Sequence, residues 1–234
     1  MRNFRTVAAD ATAHARAFLR RSATNKLIVI CVCIYTAQLF GLFFAQTLAL
    51  NEIWIRGGFR LNFVTYAFLH GNFWHLAFNA IALYFVGNAI ERYETGGTVL
   101  AVFLGGNIVG GIAWYALTQA LSADSLNATL VGASAGIAAL FAYFSIDNRG
   151  NEIRAMLFYV VPVKMRAWLL FAILLAISVF FLFFSEIPAM RGASSGGVTI
   201  GHSAHIGGLI FGAIYALAAE FLRERFDRGN ARYF

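Results

Sequence analysis

Charge is scarce in this chain. Aspartate, glutamate, lysine and arginine make up 12% of its 234 residues, about half the share found in a soluble domain. The 11 acids avoid the middle of every long apolar run, which excludes chemistry built on paired intramembrane carboxylates. No His-Glu-x-x-His sequence occurs, so a zinc ion held by histidines would have no neighbouring carboxylate to act as base. Cys31 and Cys33 lie two apart in one apolar run. On a helix they point to different faces and cannot bridge each other, so they read as buried structural thiols. The paired internal repeats of a small-solute transporter are also missing.

What is present is apolar. Hydrophobic residues make up 60% of the chain and the mean hydropathy is +0.69. Apolar segments fall at about 27–50, 74–90, 99–121, 134–146, 167–184 and 203–222, most of them long enough to cross a bilayer. The expected fold is therefore all-α: a polytopic membrane protein with six transmembrane helices, one of them short. Residues 1–26 form a basic head, 27–222 the six-helix domain and 223–234 a basic tail. Although the net charge is +7, the basic residues flank the spans and form no nucleic-acid-binding motif. With the N-terminus inside, the head, 91–98, 147–166 and the tail hold 15 of the 18 lysines and arginines; only Arg56, Arg60 and Arg191 fall outside. That asymmetry puts both termini in the cytoplasm. The compact chain favours a bacterial inner membrane. The acid-poor, Arg- and Ala-rich head makes the mitochondrial inner membrane the second choice.

The fourth run poses the central question. Its 13 residues, Ser134 to Ile146, make about 20 Å of helix against a hydrocarbon core of about 30 Å. With its inner end marked by Asp147, Asn148 and Arg149, the outer end at Ser134 lies about 10 Å below the surface. Irregular backbone at that depth must be buried in protein or face water. Ser134 thus begins a helix inside the membrane, at the floor of a wet cavity.

Four histidines fall in two pairs, His70 with His75 and His202 with His205. Ionisable groups inside a membrane are costly and mark functional sites. His75 and Asn79, four apart, project from one face of the second span near its outer end. His205 sits near the outer end of the sixth span, so it shares the depth and side of Ser134. Ala204, Gly208 and Gly212 form a small-residue stripe on that span, and Gly132 and Gly136 flank the serine. Small residues let two helices approach closely, which brings an imidazole to a hydroxyl. With no orienting acid at that depth, the chemistry reduces to a Ser–His dyad. Oxyanion stabilisation comes from the Ser134 backbone N–H at a helix N-terminus and the side chains of His75 and Asn79. His205 is favoured as base over His202, which lies about one turn nearer the surface on a similar face.

The order His-x4-His-x3-Asn, Gly-x-Ser, Ala-His-x-x-Gly-x-x-x-Gly resembles the rhomboid intramembrane serine proteases over about residues 27–222. The resemblance implies a six-helix core that cleaves transmembrane segments of other membrane proteins within the lipid bilayer, with no metal, no cofactor and no nucleic acid. Ser134 is similar to the nucleophile, His205 to the base, His75 and Asn79 to the oxyanion side chains and His70 to the histidine at the start of the second span. Gly208 and Gly212 match close-packing glycines. Three departures stand out. Ala135 follows the serine where many members have glycine. Ala138 replaces an aromatic that packs on the catalytic histidine, and Leu61 and Asn62 fill the places of a Trp-Arg pair in the first outer loop. A catalytically silent rhomboid-fold protein that binds transmembrane segments is the alternative, although it has no chemical need for Ser134, His205, His75 and Asn79 together. The first outer loop is expected to lie in the membrane interface, and the Gly/Ser-rich loop before His205 to cap the cavity. Phe78, between His75 and Asn79, is expected in the substrate-facing wall.

Overall fold

The computed structural model describes residues 22–42, 45–122, 126, 128–157, 161–192 and 200–230. The head up to residue 21, residues 193–199 of the loop expected to cap the cavity and the last four residues lie outside them. Six apolar helices make up most of the described residues: α1 (Ala23–Leu39), α2 (Phe73–Ile90), α3 (Gly96–Leu121), α4 (Ser134–Asp147), α5 (Ala167–Phe181) and α6 (His202–Asn230). Among the described residues, four stretches are long and apolar enough to cross a membrane: Phe73–Ile90, Gly96–Leu121, Ala167–Met190 and His202–Phe226. α1 and α4 are shorter, with 17 and 14 residues.

Helix starts follow capping chemistry. Ser22, Asn72 and Thr95 accept from the backbone N–H three residues on, opening α1, α2 and α3, and so satisfy donors that a helix terminus leaves orphaned. Glu91 reinforces the first of these by accepting from Ser22 Oγ at 2.5 Å and from the Ala23 and Thr24 N–H groups at 2.6 and 3.2 Å. α1 thereby starts four residues before the expected 27. It also stops at Leu39, well short of the expected 50. Gly41 has φ +63°, and the Leu42 N–H bonds back to Ala37 O at 3.1 Å, a left-handed glycine stop. Hydropathy carried the run onward because leucine and phenylalanine continue past the glycine.

Two antiparallel pairings supplement the expected all-α bundle. β1 (Leu50–Asn51) pairs with β2 (Thr129–Leu130) and holds the first loop against the approach to α4. β3 (Glu152–Leu157) pairs with β4 (Val161–Arg166) between α4 and α5. Their alternation of apolar and basic residues, as in Val163, Lys164, Met165 and Arg166, is a period-two signal. The first outer loop folds into short turns, Glu52–Arg56, Asn62–Thr65 and Tyr66–Phe68, and exposes Ile53, Phe59 and Leu61.

α4 is the hub, packed against α2, α3, α5 and α6. The small-residue pattern sets the approach. A Cβ on Gly208 would lie 2.1 Å from Ala135 O, and one on Gly212 would lie 2.0 Å from Ala139 O. On the α3 side, a Cβ on Gly106 would meet Ala139 Cβ at 2.3 Å, and one on Gly110 would meet Ala204 O at 2.5 Å. α5 is different. Only 11% of its spanning stretch is buried, against 28–44% in the other three long helices, so most of its surface is left to face lipid. At the end of the bundle away from Ser134, Arg223 of α6 pairs with Glu94, with Asp147 at 3.1 Å and with Tyr143 Oη at 3.1 Å. Arg149 grips Glu220 with two bonds of 3.0 and 2.7 Å. Those contacts tie α6 to α4 and to the α2–α3 connection.

Candidate active site

Ser134 is delivered by an approach that requires glycine. β1–β2 pairing fixes Leu130. Two residues on, Gly132 takes φ +119° and its N–H donates to Tyr66 O at 2.9 Å. Only glycine adopts that conformation without strain. Ala133 then opens α4 with no side-chain cap, so first-turn N–H groups are left for another acceptor. The Gly136 N–H is taken by Asn107 Oδ1 at 3.1 Å. Asn107 is fixed in turn: its Nδ2 donates to Phe103 O at 2.9 Å, and Tyr66 Oη donates to its carbonyl at 2.7 Å.

The close approach of α4 and α6 has a chemical result. Ser134 Oγ lies 2.8 Å from His205 Nε2, across 71 residues of sequence. In the tautomer with the proton on Nδ1, the hydroxyl donates to Nε2, as an activated nucleophile requires. His75 and Asn79 converge on the same spot from α2. A Cβ added to Gly132 would stand 2.7 Å from His75 Nε2 and 3.8 Å from Asn79 Nδ2. Any side chain at position 132 would therefore fill the space these groups share. Asn79 Nδ2 is buried and bonds to no protein acceptor. A buried donor left unpaired costs about 1–3 kcal/mol.

The other histidines sit behind these. His70, 2% exposed, meets the His75 ring edge-on at 5.1 Å, and its backbone is clamped on both sides by the Gln38 side chain. His202 makes no bond to Ser134. Its ring stacks on Phe181 of α5 at 5.2 Å and meets His205 edge-on at 5.4 Å. Phe78 is exposed and stacks on Trp74. Below the serine, Ala138 leaves a cavity of about 150 Å³, bounded by Phe141, Leu174, Ser178 and Leu209 as well as the dyad. Among the described residues no three His, Cys, Asp or Glu side chains are grouped to hold a metal ion.

The sequence reading missed three participants. Asn107 was visible as a lone polar residue between glycine pairs in "GGNIVGG", but its target is 29 residues away. Tyr66 carried no motif. Glu186 falls between the apolar segments 167–184 and 203–222, in the stretch expected as the last outer loop, yet it is 1% exposed and bonds Ser203.

A sequence model of the Rhomboid domain matches residues 51–219 of this chain. The chain belongs to the rhomboid family. As a rhomboid it is an integral, multi-pass membrane protein. It is similar to Rhomboid protease GluP of Bacillus subtilis, 34% identical over 88 residues, which cover 38% of this chain and 16% of that protein. Rhomboid protein 1, mitochondrial, of Saccharomyces cerevisiae is 24% identical over 181 residues, 75% of this rhomboid and 47% of the yeast protein. The chain thus spans less than half the length of either relative.

Proposed function

We propose that this rhomboid is a serine endopeptidase that cuts transmembrane segments of other membrane proteins. The carrying observation is the 2.8 Å contact between Ser134 Oγ and His205 Nε2 at the first residue of a 14-residue helix. Such a helix spans about 21 Å, so its outer end falls short of a bilayer surface. The proposed topology has six spans, both termini in the cytoplasm, and the site opening to the opposite side. The bacterial inner membrane is the first choice and the mitochondrial inner membrane the second.

In the proposed reaction, Ser134 Oγ attacks the scissile carbonyl carbon as its proton passes to His205 Nε2. The carbonyl oxygen takes the negative charge and is held by the Ser134 N–H, His75 Nε2 and Asn79 Nδ2. Collapse breaks the C–N bond, and the imidazolium gives its proton to the leaving amine. Water then attacks the acyl ester, activated by the same imidazole, and releases Ser134. The unpartnered Asn79 amide and the glycine-only space at Gly132 support the oxyanion assignment. The exposed aromatics Phe73, Trp74 and Phe78 on α2 are the proposed face for the substrate helix.

The test is direct. Purified protein in liposomes is given a transmembrane substrate with a helix-breaking residue, and fragments are sought by mass spectrometry. A fluorophosphonate should add to Ser134, and activity should survive strong chelators. Activity lost on chelation and restored by zinc would replace the dyad with a histidine metal site. Absence of both cleavage and labelling would favour the silent binding protein. The Asn79→Ala and His75→Ala variants should each lower kcat by about 10²–10³ with little change in KM, the measured cost of an oxyanion donor in another protease. A change in KM alone would remove them from the oxyanion hole.

A further inference from the structure

α5 does not end as an ordinary helix. Residues Leu182–Glu186 form a π-helical turn, in which the Ile187 N–H bonds back to Leu182 O. Five residues along an α-helix leave two side chains about 140° apart, whereas a wider π turn brings them to one side. Phe181 and Glu186 are so separated, and both meet the first turn of α6. The Phe181 ring lies nearly parallel to that of His202, 18° between planes. The Glu186 carboxylate accepts from the Ser203 N–H at 2.7 Å and from Ser203 Oγ at 2.5 Å. A carboxylate on a helix N-terminus also meets the positive end of the helix dipole. These two contacts hold the turn that leads directly into His205.

His205 needs that hold. On its α4 side Ala138 offers only a methyl group, and the cavity beneath the dyad, bounded on α4 by Ile137, Ala138 and Phe141, leaves open space beside the ring. The ring contact His205 does have is His202, edge-on, which rests on Phe181. We propose that Glu186 is a positioning residue for the general base, fixing the first turn of α6 so that His202, backed by Phe181, sets the angle at which His205 faces Ser134. The assignment rests on the serine-protease reading. It gives the buried carboxylate a role one step removed from the reacting atoms, since its bonds go to Ser203 and not to the imidazole.

The experiment compares the 234-residue parent with Glu186→Ala, Glu186→Gln and Phe181→Leu in liposomes. It measures kcat, KM, fluorophosphonate labelling rate and thermal unfolding. Labelling reads the Ser–His pair without any need for a substrate helix to enter. Glu186→Ala should lower kcat and the labelling rate in parallel by about 10²-fold, the cost of misplacing a catalytic group by about 1 Å. KM should stay within about twofold. Glu186→Gln should recover most of both rates, because an amide can accept from the Ser203 N–H while donating to Ser203 Oγ. Phe181→Leu should slow labelling less than Glu186→Ala does. If the alanine variant does not fold, the glutamine and leucine variants decide: parental labelling in Phe181→Leu overturns the proposal. Unchanged labelling in a folded Glu186→Ala overturns it too, as does a lowered KM with faster turnover, which would make the contact a restraint on substrate entry. A parent that neither cleaves nor labels fails the protease reading itself and takes this assignment with it.

Discussion

Ser134→Ala is expected to abolish both substrate cleavage and fluorophosphonate labelling while leaving the folded protein intact. The substitution removes one oxygen. That oxygen is bonded to His205 at 2.8 Å, so losing it costs about one hydrogen bond of stability, on the order of 1 kcal/mol. Activity falls on a different scale. In another serine protease, deleting the nucleophile or its histidine costs about 10⁶-fold in kcat, and the residual rate comes from the oxyanion hole and binding. His205→Ala should match it, because an unassisted hydroxyl is a poor nucleophile. His202→Ala should keep measurable turnover, since its ring reaches His205 and not the serine. The ranking at matched expression and matched unfolding temperature is decisive. A dead His202→Ala beside an active His205→Ala would reverse the assignment of the base.

The second large effect is on the fold. Gly208→Ala and Gly212→Ala should each destabilise the protein strongly, by about 3 kcal/mol, the upper end of overpacking costs. Two terms compete. Alanine is a better helix former than glycine by about 1 kcal/mol, which favours the variants. Against it stands a Cβ at 2.1 or 2.0 Å from a backbone carbonyl oxygen. A backbone carbonyl cannot rotate away as a side chain can, so α4 and α6 must separate and steric cost wins. The separation also pulls His205 off Ser134, so labelling should fall together with the unfolding temperature. Gly97→Ala is the control: it lies in the first turn of α3 with only Thr95 Oγ1 nearby, at 3.4 Å. It should be neutral or slightly stabilising. An unfolding temperature for Gly208→Ala at or above the parent's would refute the close-contact account.

Features that depend on local chemistry were legible in the sequence. The start of α4 at Ser134, the glycines that let α6 approach and the histidine pairs could all be read from spacing and from the rarity of polar groups in apolar runs. The joint placement of Ser134, His205, His75 and Asn79 followed, since three helices brought them to one depth. What escaped was long-range. Glu186 looked like a loop acid, because nothing nearby in sequence shows that Ser203 will turn back to meet it. Asn107 carries no motif, and its value lies in the Gly136 N–H it satisfies on another helix. The end of α1 failed for a different reason: hydropathy sums side chains and is blind to the positive φ of Gly41. The β3–β4 hairpin was hidden inside a stretch scored only for its positive charge.

The glycine pair on α6 carries one more consequence. Gly208 and Gly212 face Ala135 O and Ala139 O, the two helices each stepping by four residues. A repeat of that kind invites slippage, because sliding α6 by four residues, about 6 Å, would set one glycine on the other's carbonyl. Here the repeat is only two teeth long. Ala204 precedes it and Ala216 follows it at the same spacing. A slide toward either end therefore drives an alanine Cβ into the place where a Cβ falls about 2 Å from oxygen. The alanines act as end stops, and the same four small residues that set how near the imidazole comes to the hydroxyl also set its height along the helix.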